Sequence, residues 1–177
     1  QKYGDPEGGF EEADVILEDN YFYPGSTHVP LETQGALAEV DKKGKLTLYS
    51  STQIPHYLQR ALARILELPA QRVRVIKPHV GAGYGGKSDP FSNEICAAAL
   101  ALKTGRPVKC ILNREEVFYA HRGRHPTQMR LKMGITQDGR ITACDFEAIT
   151  PGGAYASFGV VTAYYLGVFM PLPYKLD

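Results

Sequence analysis

Gly81-Ala82-Gly83-Tyr84-Gly85-Gly86-Lys87-Ser88 is the stretch on which the reading of this chain turns. Its letters satisfy G-x-x-x-x-G-K-[ST], the P-loop in which backbone N–H groups and a helix N-terminus converge on phosphate. Lys87 and Ser88 would then supply the charge and the metal ligand. Val73-Arg74-Val75-Ile76 reads as a strand ahead of the loop, and Phe91 to Leu100 as a helix behind it. Two features count against a P-loop. Pro78-His79-Val80 separates the strand from the first glycine, and the best following strand, 107–112, ends in Asn113 rather than a metal-holding aspartate. A tight strand-to-helix turn that needs glycine dihedrals is the other reading. The eight residues alone leave both open.

Outward from the loop, residues 1–12 are Gly-rich and acidic and read as a loose lead-in. An extended segment runs from Ala13 to Tyr23, with aromatics clustered at Tyr21-Phe22-Tyr23. Gly35–Val40 and Lys45–Ser50 flank Asp41-Lys42-Lys43-Gly44, a hairpin signal. From Pro55 to Leu68 apolar residues recur at helical spacing (Leu58, Ala61, Leu62, Ile65), between Pro55 at the start and Pro69 at the end. A small-residue helix over 90–103 stops at Thr104-Gly105. Gln128 to Thr136 alternates, and Asp138-Gly139 turns it into Ile141–Ile149 as a second hairpin. The expected fold class is α+β: a mixed sheet with two hairpins and two main helices, in one domain over residues 13–177.

Composition narrows the function classes. The 177 residues carry 20 basic and 19 acidic side chains, so charge gives no case for nucleic acid or an anionic membrane as partner. Cys96, Cys110 and Cys144 form no CxxC pair and no disulfide framework; each sits in an apolar run and reads as a small core residue. A reducing cytoplasm is the expected location. No apolar run approaches the ~20 residues of a membrane span. Gln1 is not a methionine and Tyr174-Lys175-Leu176-Asp177 carries no closing element, which reads as a piece of a longer chain.

Further segments give the loop a context. Ser51-Thr52-Gln53 precedes the first helix. His28-Val29-Pro30-Leu31-Glu32-Thr33-Gln34-Gly35-Ala36-Leu37-Ala38 precedes that, and Thr104 to Lys109, Asn113-Arg114-Glu115-Glu116 and Gly123-Arg124-His125-Pro126 follow the loop. In order and spacing these resemble the large subunit of the xanthine dehydrogenase family of molybdenum hydroxylases, whose usual loop is G-G-G-F-G-G-K. The resemblance runs from about Ala13 to the last residue. It implies a molybdopterin dinucleotide cofactor whose dithiolene, not a protein side chain, holds molybdenum. By position, Gln53 would donate to the oxo group and pterin edge, and the backbone of Gly83, Tyr84 and Gly85 would close over the metal. It also implies iron–sulfur clusters and FAD on partner subunits. The family's glutamate base and most pterin contacts lie further along than these residues reach, so the remainder of the chain's own subunit is an expected partner.

The sequence departs from the purine oxidisers of that family. Ser88 stands where they carry a substrate-binding glutamate, and Tyr164-Tyr165 roughly where they carry an arginine. The run from Gly152 to Tyr165 most resembles the large subunit of 4-hydroxybenzoyl-CoA reductase, which implies reductive removal of a phenolic hydroxyl from an aromatic thioester. Ser88 and Tyr165 would then face the substrate, Tyr165 holding the phenolic oxygen or supplying a proton. A hydroxylating member acting on an aldehyde, N-heterocycle or purine is the alternative within the family. His125 reads as a buried, hydrogen-bonded residue of a structural motif, and His56, His79 and His121 share no metal-ligand spacing.

Overall fold

The computed structural model describes residues 2–170 and Tyr174. Its elements are α1 (Pro6–Glu12), β1 (Val15–Tyr23), β2 (Ser26–Thr27), β3 (Gly35–Val40), β4 (Leu46–Ser50), α2 (Pro55–Ile65), β5 (Val73–Ile76), α3 (Ser92–Thr104), β6 (Val108–Ile111), α4 (Arg114–Ala120), β7 (Gly123–Arg124), β8 (Thr127–Ile135), β9 (Ile141–Ile149) and α5 (Gly159–Phe169). They fall into two compact units, Gln1–Ser26 with Arg124–Asp177, and Thr27–Gly123.

The fold class is α+β with a mixed sheet, but the expected inventory of two hairpins and two main helices is corrected. The described residues form five α-helices and three separate sheets: β1-β8-β9, β2-β7 and β5-β4-β3-β6. The three unforeseen helices each lack the usual signal. Helix α1 (PEGGFEE) contains two glycines, which weaken helix propensity, and forms where a loose lead-in was expected. Helix α4 is seven residues, too short to show a 3.6 period, and is fixed by a reciprocal cap between Asn113 and Glu116. Helix α5 is apolar on every side and shows no period at all.

The second unit, residues 27–123, carries the glycine loop. Its four-stranded sheet pairs β5 with β4 in parallel and β4, β3 and β6 antiparallel. Helix α3 lies on this sheet through small residues: Ala97, Ala98 and Ala101 are buried with Ala36 and Ala38 of β3. Alanine on both sides lets the helix sit close to the strands. Leu58 and Leu62 of α2 close the same core with Leu46, Leu48 and Val73. Helix α3 ends on Gly105, whose φ of +64° is the left-handed cap that glycine adopts without penalty. Its start is fixed by Glu94, which accepts from the Phe91 N–H at 2.7 Å and from the Ser50 hydroxyl.

In the first unit β1 pairs antiparallel with β8 from Val15↔Ile135 to Tyr23↔Thr127, and β8 with β9. Arg130 stands between Glu18, Asp145 and Glu147 on three neighbouring strands. Among the described residues no helix is long and apolar enough to cross a membrane. The three cysteines are free, and Cys96 is exposed rather than in the core.

Candidate functional site

The loop between β5 and α3 is held by four side chains from outside it. Glu32 accepts from the Gly81 N–H at 3.0 Å and pairs with the Lys87 ammonium, so one carboxylate straps both ends of the glycine run. Lys87 is only 1% exposed, the largest fully buried side chain among the described residues. A cation so placed needs a partner, and Glu32 provides it. Arg114 fixes the segment that carries Glu32 by donating to the carbonyls of Pro30 and Leu31 at 2.6 and 2.9 Å.

Gln53 follows the buried pair Ser51-Thr52 at the end of β4, where Thr52 accepts from the Ile54 N–H at 3.1 Å. It lies across the loop. Its N–H donates to the Lys87 carbonyl at 2.8 Å, and its side-chain Oε1 accepts from the Lys87 N–H at 3.1 Å. The amide orientation follows from that acceptor role, which leaves Nε2 as the outward donor. Gly83 sits directly under this side chain: a Cβ there would lie 2.3 Å from Oε1. Only glycine permits the approach.

The tip is a tight turn. Gly86 N–H donates to the Gly83 carbonyl at 2.7 Å, and both central residues are left-handed, Tyr84 at φ +54° and Gly85 at φ +84°. That is the type I′ pattern. Tyr84 projects outward and is exposed. Among the described residues the N–H groups of Ala82, Gly83, Tyr84 and Gly85 have no acceptor. Beneath the turn, His121 packs so closely on Gly86 that a Cβ would lie 2.2 Å from its Cε1. Its ring stacks on Phe91 at 5.8 Å and meets His28 at 5.2 Å. Burial above all holds its pKa below the ordinary imidazole value; the Arg122 carbonyl opposes this, and the charges of His28, Arg122 and Lys87 add to it. Arg122 donates to the Gly85 carbonyl and pairs with Asp89.

This geometry decides against the literal P-loop. The lysine is turned inward and neutralised by Glu32, and α3 begins only at Ser92, so the glycine run does not lead directly into its N-terminus. Of the residues singled out in the sequence, Gln53, Gly83, Tyr84 and Gly85 come together in one cradle, with Ser88 at its end. Tyr165 belongs to the other unit, where its ring lies 5.0 Å from that of Phe169. His125 was expected to be buried and hydrogen-bonded; its Nδ1 is buried with no partner among the described residues, and the ring lies against Gly159. Glu32, His121, Arg122 and Asp89 were missed as loop supports. Their one sequence signal was that Glu32 lies inside, and the His121-Arg122 pair adjoins, a segment already noted for its order and spacing.

The donor set suits an oxygen-rich, anionic group: peptide N–H groups and a carboxamide NH₂, all neutral, on a glycine-rich backbone. Comparisons with known proteins give the family. The family described as "Molybdopterin cofactor-binding domain" matches residues 1–177. The chain is 39% identical over 158 residues to the nicotinate dehydrogenase large molybdopterin subunit of Eubacterium barkeri, covering 89% of this chain and 37% of that protein. It is 35% identical over 156 residues to the xanthine dehydrogenase molybdenum-binding subunit of Escherichia coli, covering 88% and 21% respectively. The solved aldehyde oxidoreductase of Desulfovibrio gigas superposes with a TM-score of 0.81 at 26% identity, over 89% of this chain and 17% of that one. The chain thus spans well under half the length of these relatives. Nothing in the matches singles out 4-hydroxybenzoyl-CoA reductase.

Proposed function

Since the chain belongs to the molybdopterin cofactor-binding domain family, we propose that Gln53 and the backbone of Gly83, Tyr84 and Gly85 hold the metal end of a molybdopterin cofactor. One observation carries the reading: the Gln53 carbonyl oxygen is taken by the Lys87 N–H, which leaves its NH₂ to donate beside a run of peptide N–H groups that have no acceptor among the described residues. Such donors stabilise developing negative charge without altering the charge of the site. Residues 13–177 act here as part of a longer subunit, which supplies the remaining cofactor contacts and the proton-accepting base.

When bound, the cofactor supplies a two-electron oxidation that places an oxygen from water on a carbon of the substrate. The chain's own part is to orient and to exclude water. Gln53 fixes the orientation of the oxygen it donates to, and the turn limits how closely solvent approaches. Iron–sulfur clusters and FAD on partner subunits are the acceptors we assign to the electrons.

For substrate class we favour an N-heterocycle or an aldehyde. The relatives named for nicotinate, hypoxanthine and indole-3-acetaldehyde support this over a thioester reduction. Ser88, short and neutral beside the loop, is the substrate-side residue; a serine there suits a substrate that needs no carboxylate partner. Tyr165 as a proton donor goes with the thioester reading alone. A turnover screen of the complete enzyme tests the choice. Oxidation of nicotinate-like heterocycles or aldehydes is expected, and exclusive reductive dehydroxylation of aromatic CoA thioesters would overturn it.

A further inference from the structure

We propose that Arg122 is the positioning residue of the cradle, setting the Tyr84–Gly85 turn and through it the N–H groups that face the cofactor. The proposal rests on the cofactor reading above for its consequence, but not for its geometry.

The guanidinium is a fork between two acceptors, the Gly85 carbonyl and the Asp89 carboxylate, with its side chain only 9% exposed. The Gly85–Gly86 peptide is thereby held at both ends: its carbonyl by Arg122, its N–H by the Gly83 carbonyl at 2.7 Å. A peptide unit is planar, so fixing both ends fixes its orientation. The turn needs such a restraint. Tyr84 is a non-glycine residue at φ +54°, a conformation that costs about 1 kcal/mol and relaxes unless its surroundings hold it.

Arg122 is itself anchored. Its own carbonyl lies against Nδ1 of His121 and Nδ1 of His28, the latter at 3.3 Å. A carbonyl can only accept, so both rings carry their proton on Nδ1. Two imidazoles thus pin the Arg122 backbone, and its side chain pins the turn. Lysine could keep the charge opposite Asp89 but could not fork to Gly85 as well.

The test uses the complete subunit in its complex, comparing wild type with Arg122→Lys and Arg122→Gln. Hydrogen exchange is followed at the Gly86 and Lys87 amides, both hydrogen-bonded in the loop, and molybdenum content is measured in parallel. In both variants exchange at these two amides should rise by about tenfold with α2 and α3 unchanged, and molybdenum content should fall. Wild-type protection in Arg122→Lys, or a rise spread evenly over α2 and α3, would overturn the proposal. Should both variants fail to fold, Asp89→Asn serves in their place. It leaves the Gly85 contact and should loosen the same two amides by a smaller factor; no change there would also overturn it. Wild-type protein free of molybdenum would instead sink the cofactor reading, while the exchange data would still decide the role of Arg122.

Discussion

Lys87 and Glu32, 55 positions apart in sequence, form an ion pair in which the cation is buried and the carboxylate also accepts from the Gly81 N–H. The lysine that completes a phosphate-binding motif on paper is therefore a strut of its own loop. Removing the carboxylate alone leaves an uncompensated buried cation. Glu32→Ala should lower unfolding stability by about 3 kcal/mol, whereas Lys87→Met, which removes the buried charge and keeps the bulk, should cost less than half of that. Urea unfolding of the two variants checks the order; equal losses would mean that the pair is not what holds the loop.

The glycines of the loop are not equivalent. A methyl group at Gly83 meets Gln53 Oε1 and at Gly86 meets the His121 ring, so Gly83→Ala and Gly86→Ala should each cost about 1–3 kcal/mol. At Gly85 a methyl group meets nothing within 4 Å, and only the positive φ resists it, for about 1 kcal/mol. Thermal unfolding of the three variants should rank Gly85→Ala as the mildest.

His121 gives the loop a pH dependence. Its folded pKa lies below the ordinary imidazole value of about 6.5, so the unfolded chain binds more protons in the window beneath that value. Stability should therefore rise with pH across the window and be lost as pH falls through it. In His121→Asn an amide can replace the Nδ1 donor but does not titrate. Its unfolding midpoint should vary less than that of wild type between about pH 5 and pH 7. Parallel pH curves for the two proteins would remove His121 as the cause.

Much of the local structure was legible in the sequence because it is local. The Pro55 start and 3.6-residue spacing mark α2, Gly105 marks the end of α3, and Asp138-Gly139 marks a turn. Pairing at long range was not. Nothing near Val15–Tyr23 announces a partner at Thr127–Ile135, more than 100 residues on, and the division into three sheets depends on it. The site shows the same split. Gln53 and the glycines stood out by residue type and order. Glu32, Arg122 and Asp89 act through contacts that only the folded chain makes, and charged residues read one at a time look like solvated surface.

If Gln53 and the glycine turn cradle a molybdopterin cofactor, molybdenum content is the most direct check. The complete subunit is purified as wild type and as Gly83→Ala, which forces Gln53 off the loop, and metal per subunit is measured by mass spectrometry. Molybdenum is expected in the wild type, with at least about tenfold less in a folded variant. Full molybdenum retention by Gly83→Ala, or a metal-free wild type that instead binds Mg²⁺-ATP and loses it on Lys87→Ala, would contradict that role.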